Sequence, residues 1–110
     1  DAIIHMKTYK IIIYIPEADA PNMRQVLGDA GAGKIGNYTH CTFSVKGIGR
    51  FKPVKGANPT IGQIGTLEEV VEERIETVCS EDALQNVLKA IKANHPYEEP
   101  ATDVYELVNV

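Results

Sequence analysis

Few side chains in this 110-residue sequence are suited to chemistry: three histidines, two cysteines and a scatter of carboxylates. His40 is followed by Cys41, and His95 stands three and four residues before Glu98 and Glu99. Imidazole with carboxylate suits a divalent ion such as zinc, copper or nickel. His40, His95, Glu98 and Glu99 are therefore the candidate metal ligands. No C-x-x-C or H-x-x-x-H spacing is present, so the fold or a neighbouring subunit must bring the two segments together. Pro96 and Pro100 stiffen the second segment and present its polar groups at low entropic cost. The plainer reading of His95 is a residue at a helix C-terminus, where a positive imidazole is favourable. No Ser-His-Asp or Cys-His-Asn arrangement supports nucleophilic catalysis. Neighbouring Glu98 and Glu99 point apart unless the turn forces them together.

Two further motifs lose to simpler readings. Gly31-Ala32-Gly33-Lys34-Ile35-Gly36 spells G-x-G-x-x-G. A dinucleotide fingerprint follows a strand and opens a helix, whereas this one follows a helix and precedes a strand. It reads as a helix stop and a turn. Arg50-Phe51-Lys52-Pro53-Val54-Lys55 has the basic and aromatic texture of a nucleic-acid contact, but the footprint is small and the net charge is −4, which argues against nucleic acid. A solvated loop is the default, and a loop gripping a small anion the alternative.

The elements that must position these groups follow from periodicity. Residues 8–15 are β-branched and aromatic and predict a central strand ended by Pro16. Asp19 caps a predicted helix with Pro21 in its first turn and Met23, Val26, Leu27 and Ala30 along one face. A second strand is expected over 39–46, with Cys41, Phe43 and Val45 toward the helices and His40 on the opposite face. A long connection, 47–66, carries five of the nine glycines, as functional or mobile loops do. A third strand is expected over 70–79, then a helix capped by Ser80 with Leu84, Val87, Leu88 and Ile91 as its buried stripe. His95-Pro96 ends that helix, and residues 101–108 form the last strand. If strands two and three pair as a hairpin, Cys41 and Cys79 face each other beneath the helices as reduced, slow thiols.

The order β-α-β-β-α-β predicts an α+β, ferredoxin-like sandwich: a four-stranded antiparallel sheet with two helices on one face. Its other face is half apolar, with Ile12 and Tyr14 in strand one and Val104 or Tyr105 in strand four. A second copy of the chain would cover such a face.

Length limits the chain to one domain, read as residues 6–110 with 1–5 a cloning remnant ending in His5. Apolar residues make up 44% of the chain, yet the longest run is 11–15, far short of a membrane span. Two cysteines and no visible leader point to the reducing cytoplasm. Between Asp29 and Glu68 there are five basic residues and no acid, and from Glu68 onward eleven acids face three bases. Such asymmetry marks an anionic ligand or two segments that lie against each other.

One long pattern joins these pieces: Gly36-Asn37-Tyr38-Thr39-His40-Cys41-Thr42-Phe43-Ser44, Gly47-Ile48-Gly49-Arg50-Phe51-Lys52-Pro53, Gly56-Ala57-Asn58-Pro59, Glu73-Arg74-Ile75-Glu76 and His95-Pro96-Tyr97-Glu98-Glu99-Pro100-Ala101. From Lys7 onward it resembles the inserted domain of the Nif-three-like (YqfO-type) proteins. That domain is similar in turn to the CutA and PII signalling folds, both trimeric. The resemblance implies a stand-alone PII/CutA-like domain and a homo-oligomer, a trimer rather than a dimer. The family's two-metal site lies in flanking halves for which this sequence holds no counterpart, so its hydrolase-like activity is not implied here. The expected function is a small cytoplasmic binding or regulatory module, not catalytic by itself. The alternatives are a CutA-like divalent-metal binder and an accessory subunit of a metal-dependent, hydrolase-like partner.

Overall fold

A computed structural model describes residues 6–108 of the chain; the reading of 1–5 as a remnant lies outside them. Isoleucine-rich β1 (Thr8–Pro16) runs into a short 3-10 turn (Glu17–Asp19) and helix α1 (Ala20–Asp29), with Pro21 in its first turn. Strands β2 (Phe43–Phe51) and β3 (Glu68–Ser80) follow, then helix α2 (Leu84–Asn94) and β4 (Thr102–Leu107). The sheet is antiparallel throughout, in the order β2-β3-β1-β4. It is the expected α+β βαββαβ sandwich. No helix of the described residues is long and apolar enough to cross a membrane.

Period-two alternation places the core. Ile11, Ile13 and Ile15 of β1 and Ile75 and Cys79 of β3 point to one face, where Met23 and Leu27 of α1 and Val87 and Ile91 of α2 cover them. Both helices therefore lie on that face. Tyr105 lies opposite Lys10 and shares the uncovered face with Ile12 and Tyr14, while Val104 lies opposite Ile11 on the helix side. Gly31 and Gly33 adopt φ values of 111° and 80° just past α1, the left-handed conformation of a helix stop.

Several boundaries differ from expectation. Strand two begins at Phe43, because Gly33 first occupies the edge of β3: its N–H donates to Val78 (2.6 Å), and its carbonyl accepts from Cys41 (3.0 Å). His40 turns the chain with φ 60° and belongs to no strand. The register then pairs Phe43 with Glu76 and Val45 with Arg74, so Phe43 and Val45 lie on the uncovered face. The same register separates the cysteines. Cys79 pairs with Tyr9 in the core, whereas Cys41 stays half-buried near Thr77, whose hydroxyl donates to its carbonyl (2.9 Å). Finally, Ser80 ends β3, and α2 starts at Leu84 with Ala83 as its cap residue.

The β2–β3 hairpin outruns the rest of the sheet. Ile48–Phe51 pair with Glu68–Val71 beyond the last β1 partner, Glu72, and the molecule measures 58 × 24 × 24 Å. The glycine-rich connection consequently shortens to residues 52–67. The charge asymmetry is partly an internal fit, since basic β2 lies against acidic β3, with Arg50 to Glu69 at 2.6 Å.

Candidate functional site

A cleft of about 410 Å³ opens between the tip of the β2–β3 hairpin and the turn joining α2 to β4. Phe51, Lys52 and Pro53 form one wall, Tyr97, Glu98 and Glu99 the other, and Tyr14, Gly49 and Glu72 belong to the sheet between them. The two walls are tied together. Asn58 donates its backbone N–H to Glu98 Oε1 (3.3 Å), and the Thr60 hydroxyl donates to the Pro96 carbonyl (2.8 Å).

His95 anchors the turn. The Tyr97 N–H donates to its Nδ1 (3.1 Å), which leaves Nε2 as the protonated nitrogen donating to the Tyr14 carbonyl (2.8 Å). Both ring nitrogens of this buried imidazole are thereby occupied inside the chain. Tyr97 next reaches across to β3, where its phenol donates to Glu72 Oε2 (2.7 Å). Burial first, and the Glu72 carboxylate second, push the phenol well above the ordinary tyrosine range. The Tyr97 ring also packs on Phe51, with centroids 5.8 Å apart. A Cβ at position 49 would meet the Glu72 carboxylate, so the glycine there lets that carboxylate lie against the β2 backbone.

The four candidate ligands do not meet within one chain. Glu98 and Glu99 line the cleft, and His95 holds the turn that carries them. His40 lies at the other end of β1: its Nε2 is 3.0 Å from Asp29 Oδ1 at the end of α1, and its Nδ1 3.0 Å from the Thr39 hydroxyl. Among the described residues, no three His, Cys, Asp or Glu side chains are grouped to hold a metal ion. Sequence reasoning missed Glu72 and Tyr97 as site residues. Their signals were the unbroken charged run Glu72-Glu73-Arg74 inside a strand and an aromatic between two prolines.

No protein-family profile matches the chain. Its fold defines the class: it superposes on the periplasmic divalent cation tolerance protein CutA from Archaeoglobus fulgidus with a TM-score of 0.68, covering 94% of this chain and 86% of that one at 16% identity. The particular sequence relatives lie elsewhere. The chain is 50% identical over 101 residues to a GTP cyclohydrolase 1 type 2 homolog of Halalkalibacterium halodurans, and 49% identical over 96 residues to that of Bacillus subtilis. A Bacillus cereus protein related to NIF3 matches 98% of the chain with a TM-score of 0.84 and 45% identity. The chain spans about a quarter of the relatives' length, 27% and 26% of the first two and 28% of the third. It is thus similar to one CutA-like segment of NIF3-related proteins, as the motif resemblance implied.

Proposed function

We propose that this chain is a small PII/CutA-like binding or regulatory module that assembles with copies of itself in the cytoplasm and has no catalysis of its own. The observation that carries the reading is the exposed β2–β3 strand pair, whose far end projects beyond β1. Phe43 (65% exposed) and Val45 on one side, and Ile48 and Val71 (51% and 49% exposed) on the other, leave it apolar on both faces. A strand pair this exposed, with an open edge, invites another chain. A second copy is the occupant the open edges favour. The sheet order leaves β2 free at one edge and β4 free at the other. Unlike edges meet head to tail, and such a contact forms a ring where its rotation closes; a trimer is favoured over a dimer on that ground and from the CutA likeness. Light scattering at micromolar concentration should give three times the single-chain mass. A monomer mass overturns the reading.

A divalent-metal role has one specific observation behind it, the presence of Glu98 and Glu99 in the cleft. It needs His40 from a neighbouring copy beside the His95–Glu99 segment. Zinc or copper titrated calorimetrically into wild type and His40→Ala tests it; equal binding, or none in either, removes it. Service as an accessory subunit of a metal-dependent, hydrolase-like partner rests on the greater length of the relatives; a pull-down that recovers no such partner chain removes it.

A further inference from the structure

The cleft holds a buried charge with no counter-charge. Glu72 is only 9% exposed, and its one hydrogen-bond donor among the described residues is the neutral Tyr97 phenol. No Lys, Arg or His nitrogen of the described residues lies within salt-bridge distance of it. The nearby guanidinium groups are engaged elsewhere. Arg50 pairs with Glu69 (2.6 Å), and Arg74, on the same face as Glu72, pairs with Glu76 (3.3 Å) and lies 6.0 Å from the Tyr14 ring centroid. A carboxylate taken out of water needs a cation and further hydrogen bonds to offset its lost hydration. Oε2 takes the phenol, and Glu72 lines the cleft. Around it stand Tyr14, Phe51 and Tyr97, whose ring faces attract positive charge.

From this arrangement we infer that the cleft is a receptor site for a small organic cation, a protonated amine or amidine carried on a flat apolar body. The inference deepens the binding-module reading and rests on it. The volume of about 410 Å³ falls among ordinary small-molecule sites. A hard metal ion would require six or more converging oxygens, whereas Phe51, Pro53, Pro59 and Ile61 make these walls largely apolar. A simple anion fits poorly too: Glu72, Glu98 and Glu99 outnumber Lys52 and the already paired Arg50. The ties from Asn58 and Thr60 fix the two walls relative to each other before any ligand arrives, which lowers the ordering cost of binding.

Benzamidine is the probe, titrated into the protein as purified and followed by backbone amide NMR shifts. Saturable shifts centred on Gly49, Glu72 and Tyr97 are expected, with benzoate and benzyl alcohol producing none. Glu72→Gln, which keeps shape and removes charge, should weaken binding at least tenfold. Phe51→Leu, which keeps the carboxylate and removes a ring face, should weaken it severalfold, so a folding failure of either variant leaves the other to decide. Absent binding, equal binding by Glu72→Gln, or equal binding of benzyl alcohol overturns the cation site. Displacement of benzamidine by zinc at one ion per site also overturns it, in favour of a metal. The mass of the same sample is read independently: a benzamidine-binding monomer defeats the assembly, and an oligomer indifferent to benzamidine defeats only the cation site.

Discussion

His95 and His40 show how little a residue type says before its neighbours are known. One imidazole links a turn to β1 through both nitrogens; the other packs its ring against Gly28 and bonds to Asp29. Tyr97 carries a titration consequence. Its phenol is raised by burial and by Glu72, so the native state keeps a proton that the unfolded chain releases above pH about 10. Stability from this group is whole below that pH and falls as pH rises toward the folded value. An alkaline absorbance titration should show one late tyrosine step, and Tyr97→Phe should remove it. The thiols should also differ. Burial first, and Asp82 second, push the Cys79 thiol up, while Cys41 is half-exposed. Brief native alkylation followed by mass spectrometry should find a single adduct, on Cys41; prompt labelling of Cys79 would contradict its place in the core.

Helix α1 and the segment after it are fitted to each other at Gly28. A Cβ there would collide with the His40 ring, which Asp29 and Thr39 hold in place. Alanine is otherwise the better helix residue by about 1 kcal/mol. Gly28→Ala should therefore destabilise the wild type yet stabilise a His40→Ala background by about 0.5–1 kcal/mol, a sign reversal that denaturant unfolding of the four-member cycle would reveal. The same contact sets the acid side. His40, then Gln25, holds the Asp29 carboxyl below its usual range, so this stabilisation is present at neutral pH and lost as pH falls through the folded value.

At the scale of the whole molecule, the exposed apolar residues of the β2–β3 strand pair are the feature a single copy leaves unexplained. Phe43→Lys, on the uncovered face and 65% exposed, should shift light-scattering mass toward the monomer while circular dichroism stays unchanged. An assembly unaffected by Phe43→Lys and Val45→Lys together would place the contact elsewhere on the surface.

Local regularity made the element order, the helix-facing isoleucines of β1, the helix stop at Gly31 and Gly33, and the stiff turn after His95 legible in the sequence, because periods of 2.0 and 3.6 residues are written in neighbouring side chains. The faces of β2 were not legible. They depend on a hydrogen-bond register with β3 that Gly33 and the His40 turn displace, and a one-residue slip reverses every side chain of a strand. The site depended on the same long-range pairing. Glu72 reads in sequence as one charge among many; only the packing of Tyr97 and Gly49 against it buries the carboxylate. Sequence alone thus determined which segments become strands and helices, whereas the tertiary structure decided which side chains meet, since meeting depends on register and burial between residues far apart in the chain.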